Sequence, residues 1–371
     1  MLHALDTRRL RLPAVETGLS LTDITARAAT LGAYDGHERV WLGSDEARGL
    51  TAIVAVHSTA LGPALGGTRI WPHESFDAAL TDALRLSCGM TDKAAVAGLP
   101  LGGGKAVIMA DPRKDKTPEL LEAYAEMLTA LAGQYYTAED VGMTLADADF
   151  LGQRAPNVAG TTRGGSGDPS PFTARGVFLG LKEALRRQRG SARVEGLTVA
   201  VQGLGSVGRA LAAALHGEGA RLIVADLDRG RAEKAAAMFG AAVAEPGRIH
   251  AADADVFAPR ALGGVLSAGT IPEIRAGIVA GAANNQLATA EDAGRLAARG
   301  VLHAPDFVIN AGGLINVAAE LAPDGYDRRA VLEKVARIPA TLAAIFDRAE
   351  AEGRTPDAVA RALAAERVKR G

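Results

Sequence analysis

Residues 197–228, LTVAVQGLGSVGRALAAALHGEGARLIVADLD, restrict the fold of this chain more than any other stretch. A valine-bearing apolar run leads into Gly203, Gly205 and Gly208 at G-x-G-x-x-G spacing. A helical pattern follows and closes near Gly217 and Gly219, and a second apolar run then ends at Asp226. Each glycine has a physical task. Gly203 permits the tight turn, Gly205 lets a diphosphate approach the backbone, and Gly208 lets the helix pack on the strand. Ser206 and Val207 open that helix, whose N-terminus meets the phosphate charge. Asp226 is placed to accept hydrogen bonds from a ribose hydroxyl and to repel a 2′-phosphate, which favours NAD over NADP, although Arg229 and Arg231 stand close behind it. The pattern predicts a Rossmann dinucleotide-binding unit.

That unit needs far fewer than the 371 residues present, so a second domain is expected. With 41 Lys and Arg against 43 Asp and Glu, the net charge of -2 gives no reason to expect a nucleic acid or membrane partner. Cys88 is the single cysteine, which rules out an intrachain disulfide and suits a reducing, cytoplasmic compartment. It lies in the apolar LRLSCGM and reads as a packed core residue. The opening MLHALDTRRLRLP has no continuous apolar segment of the kind a secretory signal needs. The seven histidines are scattered without ligand spacing, so no metal site is expected.

Along the first half, RVWLGSD, a turn at EARG and LTAIVAVHS predict a hairpin. Helical spacing runs from Phe76 to Gly89, and Lys105 to Ala110 reads as a short buried strand. Thr117-Pro118 opens a helix with an apolar stripe from Leu120 to Leu131. Residues 155–171, with four glycines and three prolines, read as a boundary or hinge, and a helix is expected from about Thr173 to Arg187. The expected architecture is α/β: an N-terminal α/β substrate and oligomerisation domain over 1–158, a Rossmann domain over 159–335, and helices from about 336 to 371 packing back on the first domain.

Between these elements stands MTDKAAVAGLPLGGGKAV, with Lys93 and Lys105 in apolar, glycine-rich surroundings. Hydride loss from an amino acid α-carbon leaves an iminium that water must attack, which requires a base. Desolvation and a second cation both favour the neutral amine of a lysine. Lys105, after three glycines that let substrate approach, suits that base, and Lys93 then stays charged to hold a carboxylate. Spacing alone leaves open two surface lysines beside a glycine turn.

LGPALGGTRIW, MTDKAAVAGLPLGGGKAVI, YYTAEDVGMTLADADFL, GDPSPFTARGV, VQGLGSVG and INAGGLINVAAEL occur in that order. Together they resemble the leucine, phenylalanine and valine dehydrogenases of the Glu/Leu/Phe/Val amino acid dehydrogenase family, from about residue 35 to 350. The resemblance implies a homo-oligomeric enzyme with a cleft between its domains, catalysing reversible NAD-dependent oxidative deamination of an L-amino acid to a 2-oxo acid and ammonia. It assigns the carboxylate-binding lysine to Lys93, the catalytic lysine to Lys105 and the catalytic aspartate to Asp140. By the same resemblance Gly66 and Gly67 are backbone that touches substrate, Thr173 meets the nicotinamide amide, and Asn285 lies near the nicotinamide ribose and substrate. Two positions depart from relatives: Asn284, where some carry aspartate, and Arg260, where cysteine is common.

Glutamate dehydrogenases of the superfamily carry a lysine where this chain has Leu65, and an apolar residue leaves a distal carboxylate unsatisfied. Glutamate dehydrogenase is therefore the second choice. A catalytically silent NAD-binding sensor is a third reading, opposed by the joint presence of Lys93, Lys105 and Asp140. Ala138 resembles leucine enzymes and Leu314 phenylalanine enzymes, with Val317 completing the wall. Leucine or another branched-chain substrate is favoured, then phenylalanine.

Overall fold

The computed structural model describes residues 18–162, 165–260 and 263–370. The opening MLHALDTRRLRLP lies outside the described residues. Strands β1 (Ser20–Asp23), β2 (Arg39–Asp45), β3 (Leu50–Ser58), β4 (Ala64–Ile70), β5 (Gly102–Ile108) and β6 (Tyr135–Glu139) form a mixed sheet in the order β1-β2-β3-β5-β4-β6. Strands β7 (Thr198–Gln202), β8 (Arg221–Ala225), β9 (Ala242–Val243), β10 (Val256–Pro259), β11 (Ile278–Val279) and β12 (Leu302–His303) form a second sheet in the order β12-β11-β10-β7-β8-β9, and all its pairings are parallel. The second order is that of a doubly wound dinucleotide fold, with its switch point between β7 and β10. The α/β class expected from the sequence is thus present twice.

Helices α1 (Thr25–Ala28), α2 (Phe76–Val96), α3 (Pro118–Ala130) and α4 (Leu145–Gly152) accompany the first sheet. Helices α5 (Ser170–Arg189), α6 (Ser206–Gly217), α7 (Arg229–Phe239), α8 (Glu291–Ala298), α9 (Asp306–Ile309), α10 (Gly312–Ala318), α11 (Arg328–Val335), α12 (Ile338–Glu352) and α13 (Pro356–Val368) follow. The expected hairpin is β2 and β3, paired from Arg39 with Val56 to Asp45 with Leu50. Its turn closes on Asp45, whose carboxylate accepts from Arg48 N at 3.0 Å, and on Gly49, at φ 72. Thr117 caps α3 as predicted, accepting from Leu120 N at 3.2 Å. Helix α5 begins three residues before the expected Thr173 and ends on left-handed Gly190.

The first sheet is buried on both faces by period-two alternation. Val54 of β3 and Ala106 and Ile108 of β5 pack with Leu120, Tyr124 and Leu128 of α3, while Ile53 and Ala55 of β3 and Val107 of β5 pack with Leu80 and Leu84 of α2. Lys105 pairs across from Ala55 and shares its face with Val107, so it falls on the side that α2 covers. The alternation therefore brings both lysines of the glycine-rich stretch to one side of the sheet. One apolar cluster joins the sheets, running from Leu65 and Ala94 to Val96 into Phe307, Leu342 and Val359.

The last helices divide their contacts. Helix α12 lies on α5, whereas α13 lies on α2. Arg361 of α13 reaches Asp92 Oδ2 at 3.0 Å, and Arg367 donates to the carbonyls of Ala95 and Val96 at 2.7 Å. No helix among the described residues is long and apolar enough to cross a membrane.

Candidate active site

A cleft of about 1060 Å³ opens between the two sheets. The first sheet contributes Leu65, Gly66 and Gly67 of β4, Lys105 of β5, Ala138 of β6 and Asp140 just beyond it, and α2 adds Lys93. From the other side come Thr173, Val207, Asn285, Leu314 and Val317. Twelve residues singled out from the sequence thus meet in one place. Gly203, Gly205, Ser206, Gly208 and Asp226 lie beside it, at the turn after β7 and the end of β8.

Lys105, 5% exposed, donates from Nζ to Asp140 Oδ2 at 2.5 Å. Arg69, two residues beyond the paired glycines on β4, holds the same oxygen through Nε at 3.3 Å and holds Asp82 Oδ2 through Nη1 at 2.9 Å. Burial drives the Asp140 carboxyl upward, yet Lys105, Arg69 and the Val141 backbone amide outweigh it and hold the group at about 2. Asp140 is thus an ionised acceptor between two cations. Lys93 donates from Nζ to Asn284 Oδ1 at 2.9 Å, a bond from the first domain to the second. Burial lowers Lys93 to about 8, with Lys105 adding to the effect and the carboxylates of Asp306 and Asp140 opposing it.

The triple glycine corrects one expectation. A Cβ on Gly102 would lie 1.9 Å from Ser58 O, on Gly103 2.2 Å from Thr91 N and on Gly104 2.7 Å from Tyr135 Cδ2. These glycines let β5 pack against β3, α2 and β6; they do not open a path for substrate, because their missing side chains leave no space outside the core. Gly66 is constrained in the same way, its Cβ falling 1.8 Å from Gly104 O, although it also lines the cleft.

Ala138 and Val317 converge from the two domains, each about a van der Waals contact from a Cβ built on Gly160, at 3.9 and 4.0 Å. With buried Leu65 and with Leu314 they form an apolar patch on the wall of the cleft. Asn285 is the single described non-glycine residue at positive φ, 53°, and its amide donates to the buried Asp306 Oδ2 at 2.7 Å.

The profile of the Glu/Leu/Phe/Val dehydrogenase dimerisation domain matches residues 37–155, and that of the glutamate/leucine/phenylalanine/valine dehydrogenases matches 164–230 and 225–370. The chain belongs to this family. It is 47% identical to an L-tryptophan dehydrogenase of Nostoc punctiforme over 90% of this chain and 94% of the relative. It is 45% identical to a leucine dehydrogenase of Bacillus subtilis over 91% and 92%, and 44% identical to a valine dehydrogenase of Streptomyces coelicolor over 90% and 92%. The crystal structure of the Nostoc punctiforme L-tryptophan dehydrogenase superposes with a TM-score of 0.76, covering 90% of this chain and 96% of that one.

An amino acid dehydrogenase of this family uses a nicotinamide dinucleotide, and the turn after β7 has the shape for one. A Cβ on Gly208 would lie 1.9 Å from Gly203 O, so only glycine brings α6 this close, and Gly203 sits at φ 89. Gly205 caps α6 without a side chain, which leaves the first-turn amides facing outward. Asp226 accepts from Leu204 N at 2.6 Å and Asp228 N at 2.8 Å, which ties the glycine turn to the end of β8.

Several residues of this dehydrogenase's cleft escaped the sequence reading. Arg69 was quoted within a motif but given no role, and Asn310, which donates from Nδ2 to Asn284 Oδ1 at 3.0 Å, carried no local signal. Asp35, His57 and Cys88 bring potential ligand atoms within 4.8 Å of one another, a grouping invisible in their spacing. Both His57 nitrogens are engaged, by Thr91 Oγ1 at 2.8 Å and Asp35 O at 3.0 Å, and burial pushes the Cys88 thiol up to about 12. That cluster reads as packing.

Proposed function

We propose that the protein is an NAD-dependent L-amino acid dehydrogenase that acts on an apolar substrate, leucine or another branched-chain amino acid first and phenylalanine next, giving the 2-oxo acid and ammonia. The observation that carries this reading is the buried Lys105–Asp140 pair at 2.5 Å in a cleft that also bears the apolar patch of Leu65, Ala138, Leu314 and Val317. NAD, when bound against the turn after β7, would supply the acceptor for the α-hydrogen as hydride. Lys93 holds the substrate carboxylate, and with Gly66 and Gly67 it orients the α-carbon. Lys105, once it has passed a proton to Asp140, takes one from the water that attacks the iminium carbon, and Asp140 delivers its proton to the departing nitrogen. Arg69 keeps Asp140 aligned. Leu65, Ala138, Leu314 and Val317 receive the side chain, while Thr173 and Asn285 flank the nicotinamide end.

Asp226 supports NAD over NADP, because its carboxylate meets a 2′-phosphate with like charge. The dimerisation-domain description of the first profile supports a homo-oligomer, and free Cys88 fits a cytoplasmic protein. The domain division at about residue 158 is proposed on the same footing. The test is a panel of leucine, valine, isoleucine, phenylalanine, tryptophan and glutamate, followed by NADH absorbance. The expected order places branched-chain substrates first and glutamate last; comparable rates with glutamate, or none with any apolar amino acid, would overturn the reading.

A further inference from the structure

The crevice at the switch point of the second sheet has two rims. One is the glycine turn after β7. The other is the residue that follows β10, and in this chain it is Arg260. Strands β7 and β10 pair directly, Gln202 opposite Pro259, so the two rims face each other at the same height. The guanidinium lies against the open side of Gly205, with Nη1 2.9 Å from a Cβ built there, and the stem crosses Gly208, with Cδ 3.1 Å from its Cβ. Arg260 also lines the cleft that holds Lys105 and Asp140. It makes no hydrogen bond or ion pair with any described residue, although it is only partly exposed.

A guanidinium withdrawn from water without a partner is costly, and such a group ordinarily marks where an anion is taken up. Packing alone does not account for it, since the stem over Gly208 is equally served by an unbranched apolar side chain. Asp226 attracts the group from a distance without pairing with it, and Arg231 repels it. Nothing therefore tethers the guanidinium, which occupies the very surface of Gly205 that a dinucleotide diphosphate must approach.

We propose that Arg260 is a diphosphate clamp: when a dinucleotide binds, the guanidinium moves off Gly205 and pairs with the diphosphate that takes its place against the turn. This rests on the dinucleotide reading of the site. A planar, permanently charged fork suits two phosphate oxygens better than a point charge does.

The test compares the wild type with Arg260→Met, which keeps the stem and loses the charge, and Arg260→Lys. Each is titrated with NADH by fluorescence, and with ADP-ribose and adenosine as competitors, at low and high salt. For Arg260→Met, NADH and ADP-ribose are expected to bind roughly 10- to 100-fold more weakly, with adenosine unchanged and a shallower salt dependence. Arg260→Lys is expected to recover part of the loss. Unchanged ADP-ribose affinity in Arg260→Met overturns the clamp, and tighter binding overturns it in favour of a plug. A wild type that binds neither NADH nor ADP-ribose defeats the dinucleotide reading itself, and the clamp with it.

Discussion

Lys93 and Lys105 stand twelve residues apart and are held in opposite ways. Lys105 is locked to an ionised carboxylate in the core of β5, whereas Lys93 meets only a neutral amide oxygen. Lys105→Ala removes the proposed base while leaving the turn after β7 intact. Turnover is expected to fall by about 10² to 10⁴ with NADH affinity within about twofold of wild type, and near-normal turnover in a stopped-flow assay would end the assignment. For Lys93 the sign follows from its shift. Its ammonium form, which the carboxylate needs, is present below about 8 and is lost as pH rises through that value. The kcat/KM of the free enzyme is therefore expected to decline above about pH 8, and Lys93→Arg, which stays charged, is expected to carry the decline to higher pH. That both lysines belong to one site was legible in their apolar surroundings and family context, and both line the cleft. Arg69 was not, because its value lies in reaching Asp82 and Asp140 at once, thirteen and seventy-one residues away, which no local spacing reveals.

Among the elements, periodicity served well where one face decides the structure. The hairpin, α3 and α5 occur within a few residues of expectation, α3 opening on its Thr117 cap and α5 closing on left-handed Gly190. It failed at the triple glycine, since a run of glycines looks the same whether it admits a ligand or a neighbouring strand. Gly104 separates the two possibilities. Its missing Cβ is filled by the Tyr135 ring and by Ala64 Cβ at 3.2 Å, so Gly104→Ala overpacks the centre of the first sheet. A loss of about 1–3 kcal/mol is expected in chemical denaturation, with the Michaelis constant of any folded enzyme nearly unchanged. An unaltered midpoint together with a raised Michaelis constant would return the glycine to the substrate path. The same reasoning separates Gly208, whose missing Cβ meets Gly203 O, from Gly205, whose open side meets only a movable side chain.

At the scale of the whole chain, the segment between the sheets is less free than its composition suggested. Ala159 N donates to Thr137 O at 2.8 Å, pairing the segment alongside β6, while Glu320 accepts from Gly160 N at 2.9 Å and from Ser166 N at 2.7 Å. Apart from residues 163 and 164, which lie outside the described residues, this stretch is anchored to both domains, and any closing motion is expected to pivot near Ala159 and Gly160, where the anchoring passes from β6 to Glu320. Small-angle scattering with NAD and a 2-oxo acid is expected to show a smaller radius of gyration than without them; identical curves would count against closure. Truncation after Gly353 tests the end of the chain. It removes α13 and with it Arg361 and Arg367 from α2, and so is expected to lower thermal stability and raise the Michaelis constant for the amino acid through Lys93.

In the role proposed for Lys93, its bond to Asn284 gives the free enzyme a stand-in for the ligand. When a carboxylate leaves, the ammonium does not stay bare in a half-buried place; an amide oxygen is waiting at 2.9 Å. Departure becomes an exchange of acceptors, which trades affinity for speed of release. Replacing that neutral stand-in with a charged one, Asn284→Asp, should make the enzyme its own competitor, raising the Michaelis constant while the maximal rate holds.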